Sequence, residues 1–322
     1  MPAPSFVANV ARTLYGFEPQ SIESLDQYQY DWRGIYRVQD AQGGVWVMRF
    51  MHLPDAVDSF IHTGRLLDWL TQHEYPAPSV RMTIDQQHVG VIDGWAILIL
   101  SYVDGSVLGT SSADDLGALA MMVGRLHSLR VDDQSLFAQA RGHPDIIATA
   151  AQQLASQGTN VPSAFHPLVT TLHASMRALQ QQLPQQLCIT HGDCWYRNAI
   201  KTSAGQVRLI DWDNAGIGLP VLDLGNLLLT AHFELGKPLI LEPHEANIKA
   251  IMNGHQQQRR IARVERACIA DAMRFLLAFQ LGSYATDETL AQHPEFPFVL
   301  EKLQARYDAT QPIAEIAAQY FA

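Results

Sequence analysis

Between Thr190 and Ala215 three oxygen-bearing side chains stand at fixed offsets: Asp193, Asn198 five residues on, and Asp211 eighteen residues after Asp193. A carboxylate can take the proton of an attacking hydroxyl, a carboxamide oxygen is a hard metal ligand, and a second carboxylate can bridge magnesium to phosphate oxygens. In this order the three types are what phosphoryl transfer from a nucleotide to an alcohol requires. Each piece also has a plain structural reading. His191-Gly192-Asp193 can be a turn whose Asp caps a backbone amide, and Asp211-Trp212-Asp213-Asn214 can be an Asx-rich loop end. The intervals taken together favour the chemical reading.

Local pattern supplies the elements that must position them. Leu187-Cys188-Ile189-Thr190 is a short apolar run leading into His191, and Ala199-Ile200-Lys201 is a second extended segment. Ser203-Ala204-Gly205-Gln206 gives turn residues, and Val207-Arg208-Leu209-Ile210 returns as a strand with Val207 and Leu209 on one face. A hairpin closed at Gly205 brings Asn198 and Asp211 to one edge. Magnesium keeps several waters and is usually held by one or two carboxylates plus substrate phosphate, so it is expected chiefly with nucleotide.

The segment resembles the aminoglycoside phosphotransferase and choline kinase superfamily, whose members share the protein-kinase fold. His191-Gly192-Asp193, Asn198 and Ile210-Asp211-Trp212 match the family pattern, and Gly218-Leu219-Pro220-Val221-Leu222-Asp223-Leu224 is similar to its G-D-P-x-x-D-L run. The likeness is strongest over residues 187 to 230. It implies Asp193 as catalytic base, Asn198 and Asp211 as metal ligands, His191 and Asp223 as holders of the loop, and Asp213 as a candidate for a second metal through water. The cofactors implied are ATP, with GTP an alternative, and Mg²⁺.

A chain of 322 residues, 48 % apolar and 17 % charged, can build two lobes with separate cores. The first residues lack a basic region followed by an apolar run, and Trp95 to Val103 is too short to cross a bilayer, so a cytoplasmic protein is expected. Cys188, Cys194 and Cys268 show neither C-x-x-C pairing nor zinc spacing. Cys194 beside the proposed base has no paired motif to make it a nucleophile. A net charge of −10 argues against nucleic acid or anionic membrane as partner. It is compatible with a cationic substrate, and equally with solubility alone.

Residues 8 to 16 predict a helix stopped by Gly16, followed by a hairpin of Gly34–Val38 and Val45–Phe50 turning at Gly43-Gly44. Kinases cover the phosphates with a glycine-rich turn before this hairpin and bring a Lys from its second strand. Here Tyr28 to Gly34 has one glycine, and Arg49 stands where the Lys is expected. A guanidinium can still meet phosphate oxygens, or Arg49 can simply snorkel at a strand end. Family members place a Glu near Thr63 in the next helix, about Asp58 to Gln72, but none is present, and Asp58 or Asp68 would serve only in another register. Ala96 to Gly105 resembles the hinge between kinase lobes, where the backbone of Ser101 and Val103 would meet the adenine edge.

Ser112 to Asp115 reads as a capping box opening a helix that ends near His127, a packing residue in this reading. Leu224–Phe233 and Arg260–Leu281 are further helices, the second stopped by Gly282. Asp271, Asp287, Glu288 and Glu295 could bind amines or be ordinary surface charges. The fold expected is α+β and bilobal, protein-kinase-like: a small sheet-plus-helix nucleotide-binding lobe over 1–104, a hinge near 100–105, and a larger, mainly helical catalytic and substrate-binding lobe over 105–322. The function expected is phosphorylation of a small-molecule hydroxyl, with a slight lean toward amine-bearing acceptors such as an aminoglycoside or amino alcohol. The alternatives are a nucleotide-binding pseudokinase, suggested by Arg49 and the missing Glu, and a protein kinase, disfavoured because no A-P-E segment follows Asp211.

Overall fold

The computed structural model describes residues 2–26, 31–110, 112–134, 137–157, 161–182, 187–232, 242–286 and 296–321. The chain divides into two compact units, Met1–Gly105 and Ser106–Ala322.

The first unit holds α1 (Pro4–Tyr15), β1 (Pro19–Ser24), β2 (Arg33–Asp40), β3 (Val45–Met51), α2 (Ala56–Gln72), β4 (Val80–Arg81), β5 (Val89–Ile92) and β6 (Trp95–Ser101). The sheet runs β1-β2-β3-β6-β4, with β5 also paired to β6, and every pairing is antiparallel. Burial alternates residue by residue along β2, so Tyr36 and Val38 meet Met48, Phe50, Ile97 and Ile99 while α1 lays Val7, Val10 and Ala11 over them. The hairpin turn is shaped by Asp40, whose carboxylate accepts the Gln42 and Gly44 N–H groups at 3.0 and 2.7 Å and the Trp46 indole at 2.9 Å.

The first helix starts at Pro4, because proline at the first turn sacrifices no needed N–H, and ends at Gly16 in the left-handed conformation, φ 67°. Strand β1 was not expected at all, since Pro-Gln-Ser-Ile-Glu-Ser carries no apolar alternation and owes its conformation to pairing with β2.

The second unit holds β7 (Ser106–Val107), α3 (Ala113–Ser128), α4 (Pro144–Gln157), α5 (His166–Gln182), β8 (Cys188–Thr190), β9 (Ala199–Lys201), β10 (Val207–Leu209), β11 (Gly216–Gly218), α6 (Pro220–Thr230), α7 (Glu245–Gln256), α8 (Arg263–Ala267), α9 (Ile269–Thr286) and α10 (Phe296–Ala318). Two small antiparallel sheets, β10-β9-β7 and β11-β8, carry the loops of interest. Only half of the capping box forms at α3: Ser112 Oγ accepts the Asp115 N–H at 3.2 Å, while the Asp115 carboxylate takes Lys201 of β9 at 2.6 Å. Helices α3 and α7 pack backbone to backbone. A Cβ added to Gly254 would lie 2.1 Å from the Gly117 carbonyl oxygen, so only glycine permits this approach.

The helix expected over Arg260–Leu281 is two helices broken at Cys268, and α9 runs through Gly282 to Thr286. Gly282 is buried, and the packing of α9 against α4, α5, α6 and α10 outweighs its weak helix propensity. Among the described residues no helix is long and apolar enough to cross a membrane.

At the end of α6, His232 is 2 % exposed and its Nδ1 lies 2.8 Å from the Leu228 carbonyl. Burial, beyond the help of that bond, pushes its pKa down from 6.5 to about 4. The unfolded chain therefore binds a proton near pH 6.5 that the folded chain refuses until about pH 4. Stability is full above the first value and falls as pH drops toward the second. At pH 5 the loss from this group is about 2 kcal/mol. Urea unfolding at pH 7.5 and 5.0 should show it, and His232→Leu should reduce the difference.

Candidate active site

Strand β8 pairs with β11, Thr190 opposite Gly216, and delivers the chain into His191-Gly192-Asp193. Gly192 has φ +73°, and a Cβ there would stand 1.9 Å from the Asn214 carbonyl oxygen, so the loop closes only with glycine. The two amides before Asp193 are captured from below. His191 N–H and Gly192 N–H donate to the two oxygens of Asp223 on α6, at 2.7 and 2.9 Å. His191 Nε2 lies 3.0 Å from the Ile210 carbonyl and its ring meets Trp212 edge-on at 4.8 Å, tying this loop to the end of the hairpin.

The hairpin closes at Gly205, φ +77°, with Ala199 opposite Leu209. The Ile210 N–H donates to the Asn198 carbonyl at 2.9 Å, extending the ladder by a residue and bringing Asp211 to the same edge as Asn198. Asp211 itself has φ +64°, an uncommon conformation for a non-glycine residue. Asn198 closes a tight turn, Tyr196–Asn198, and donates its Nδ2 to both the main-chain oxygen and Oδ2 of Asp193, each at 3.0 Å. With the amide nitrogen engaged twice, the atom Asn198 can offer elsewhere is its oxygen. The donor set of Asn198 and Asp211 is thus oxygen only, which suits a hard divalent cation.

A residue outside the sequence reading joins them. Arg141, just before α4, donates from Nη1 to Asp193 Oδ1 at 3.0 Å, and its guanidinium lies over the Phe279 ring, 5.0 Å to the centroid. Its backbone is fixed on the same frame, the Arg141 N–H donating to Asn214 O at 3.2 Å and the Ala140 N–H to Ile217 O at 2.9 Å. Both Asp193 oxygens are therefore held, one by a cation and one by an amide.

His127 is not the packing residue expected. From α3, which the α3–α7 approach brings against α7, its Nε2 lies 3.0 Å from Asp223 Oδ2 and its Nδ1 3.2 Å from His255 Nε2. Burial and the charges of His127 and Arg259 hold the His255 imidazole well below its ordinary pKa, so it stays neutral. Cys194 is fully buried, and burial pushes its thiol up, away from thiolate chemistry. Asp213 lies in the turn closed by the Ala215 N–H to Trp212 O bond at 3.1 Å.

In the first unit, Arg49 lies on β3, paired with Leu98 of β6, 8 % exposed, with its guanidinium 5.7 Å from the Phe60 centroid on α2. Thr63 is buried and donates to Ser59 O at 3.1 Å, while Asp68 meets His88 at 2.7 Å. The Ser101 N–H donates to Ser79 O at 2.8 Å and its hydroxyl accepts the Ser79 N–H at 2.9 Å, so the Ser101 N–H is already engaged. Residues 28 to 30 of the covering segment, and Asp287, Glu288 and Glu295, lie outside the described residues. Asp271 is engaged by Arg274 at 3.2 Å.

No curated protein matches the chain. Solved structures do. Amicoumacin kinase hAmiN, in complex with AMP-PNP, Ca²⁺ and Ami, is 18 % identical with a TM-score of 0.72, covering 97 % of this chain and 95 % of its own. Spectinomycin phosphotransferase APH(9)-Ia, with ADP and spectinomycin, is 12 % identical with a TM-score of 0.66 and 99 % coverage of both chains. An aminoglycoside phosphotransferase from Alicyclobacillus acidocaldarius is 14 % identical with a TM-score of 0.65, covering 94 % and 92 %. At these identities the likeness speaks to the fold. The model of the phosphotransferase enzyme family matches residues 30–259, well over half of the sequence and including the whole Asp193–Asp211 segment. The chain belongs to the phosphotransferase enzyme family and is a small-molecule kinase of the bilobal, protein-kinase-like fold.

Proposed function

We propose that the protein transfers the γ-phosphoryl group of ATP, with Mg²⁺, to a hydroxyl of a small molecule, GTP being the alternative donor. The observation that carries this is the pair of hydrogen bonds that Asn198 Nδ2 donates to Asp193, which orients the carboxylate and leaves the carboxamide oxygen as the atom Asn198 would offer a metal. Asp193 orients the acceptor hydroxyl and takes its proton as the oxygen–phosphorus bond forms and ADP departs. Asn198 and Asp211 would hold the metal, which when bound supplies neutralising charge to the phosphates. Asp213 is a candidate for a second ion through water. In the first unit, read as the nucleotide-binding lobe, Arg49 would neutralise phosphate charge while the Ser101 carbonyl and the Val103 backbone meet the adenine edge.

Most of the rate would come from positioning and electrostatics. The net charge of −10 is compatible with an acceptor that carries an amine, such as an aminoglycoside or amino alcohol. The test is ADP release from ATP and Mg²⁺ over a panel of amino sugars, amino alcohols, amino acids and ribosides, with EDTA controls. Metal-dependent turnover stimulated by an acceptor is the expected result. Nucleotide binding without turnover on any acceptor would sink the reading in favour of a regulatory nucleotide-binding protein.

A further inference from the structure

We infer that Asn226 is a positioning residue of the phosphotransfer site, holding the Asp193 carboxylate through one buried water molecule and the guanidinium of Arg141. The inference rests on the reading of Asp193 as the group that meets the acceptor hydroxyl. Arg141 Nη1 donates to Asp193 Oδ1 at 3.0 Å, while Arg141 Nε, on another edge of the same plane, is buried with no protein partner. Asn226 follows Asp223 by three residues on α6 and is 7 % exposed, and its Oδ1 is likewise buried with no protein partner. One atom is a donor that cannot accept, the other an acceptor that cannot donate. Left without a partner in the interior, each costs the desolvation of a polar group with nothing in return.

Arg141 and Asn226 line the same cavity, which also touches Gly192 on the loop that carries Asp193. Its volume of about 10 Å³ is room for one water molecule and nothing larger. Leu219, Leu222 and Phe275 give it apolar walls, and Thr190 adds a hydroxyl whose bond to the Gly216 carbonyl is long, 3.4 Å. Asp223 lines it too, but its oxygens are engaged by His191, Gly192 and His127. A water here accepts from Arg141 Nε and donates to Asn226 Oδ1 and Thr190 Oγ1, three bonds, as internal waters commonly make. The guanidinium is a rigid plane, so fixing Nε fixes the direction from which Nη1 reaches Asp193. Phe279, 5.0 Å from the guanidinium, restrains the tilt of that plane. A carboxylate held in this way is already oriented when the acceptor hydroxyl arrives.

A crystal structure of the wild-type protein at a resolution that shows ordered water should place one oxygen atom within hydrogen-bond distance of both Arg141 Nε and Asn226 Oδ1. Density for no water there, or an Asn226 side chain turned out of the cavity, overturns the proposal. Kinetics on the best acceptor of the panel, with ATP and Mg²⁺, test the consequence. Asn226→Leu and Asn226→Ala, which remove the oxygen and differ in packing, should lower kcat about thirtyfold, the scale of one hydrogen bond to a charged group, with the KM of ATP within about threefold. Asn226→Ser keeps an oxygen and makes room for a second water, and should return to within about fivefold of wild type. In an Arg141→Lys background, where no Nε remains to donate to the water, either oxygen-removing substitution should lower kcat by no more than about a further twofold. A merely structural Asn226 would instead multiply its loss onto that of Arg141→Lys, and that result overturns the proposal, as does wild-type kcat in a folded Leu or Ala variant. Asp193→Asn is run in parallel. Wild-type turnover in it, or turnover on no acceptor, removes Asp193 from the chemistry and the role of Asn226 with it. The water seen in the crystal would then mark the failure as one of the Asp193 assignment and not of the contact.

Discussion

Asp193→Asn should lower kcat about a thousandfold while the nucleotide KM stays within about threefold. The substitution keeps the size of the side chain and removes the carboxylate proposed to accept the proton. It also creates a local conflict. Arg141 Nη1 and Asn198 Nδ2 approach the two Asp193 oxygens at 3.0 Å each, and both are donors. A carboxamide has one oxygen, so one of these donors would face an N–H₂ group. The loss of rate therefore combines a missing base with a disturbed orientation, together about 4 kcal/mol of transition-state stabilisation. Steady-state ADP release on the best acceptor, with nucleotide affinity measured separately by calorimetry, checks both halves. A variant with wild-type turnover would remove Asp193 from the chemistry.

Legibility in the sequence divides by the range of the contact. The hairpin carrying Asn198 and Asp211 could be read because its signals are local: a turn with Gly205 between two short runs, and a register in which Leu209 faces Ala199. The first-unit hairpin at Gly43-Gly44 was readable for the same reason. Strand β1 was not, because its side chains carry no pattern and its pairing with β2 alone makes it a strand. Helix α9 was misjudged at both ends because it is surrounded by other helices, so Gly282 sits in a packed interior where a stop signal is overridden.

The same rule governs the site. The role of Asp223 as a holder of the loop came from resemblance, and the structure gives it two short bonds to the amides before Asp193. Arg141 is 52 residues from Asp193, and His255 is 128 from His127. No spacing rule links residues so far apart. The glycines that let α3 and α7 touch were present in the sequence, but their purpose shows only when Gly254 meets Gly117 and sets His127 against His255.

Asp223→Ala is the substitution expected to damage the fold and the chemistry together. Asp223 is 2 % exposed, and it accepts from the His191 and Gly192 amides and pairs with His127. Its removal leaves these buried donors unpaired, a loss of about 3–5 kcal/mol. For a unit of this size that corresponds to a fall in Tm of roughly 10 °C. The loop that carries Asp193 would lose its anchor, so kcat should fall as well. Asp223→Asn tests charge against shape: its amide keeps one acceptor but turns an N–H₂ toward donors, so it should recover less than half of the lost stability. Thermal melts and kcat for both variants decide the matter, and an Ala variant that melts within about 2 °C of wild type would show the anchor to be dispensable. The pH dependence separates this network from the buried histidines. Burial alone would raise the Asp223 carboxyl, but the His127 bond and charge, with His191, bring it below its ordinary 3.8. A depressed aspartate stabilises fully above the unfolded value and loses that stability only as pH falls through the folded one. Softening of the wild-type protein between pH 6.5 and about 4 therefore belongs to groups such as His232.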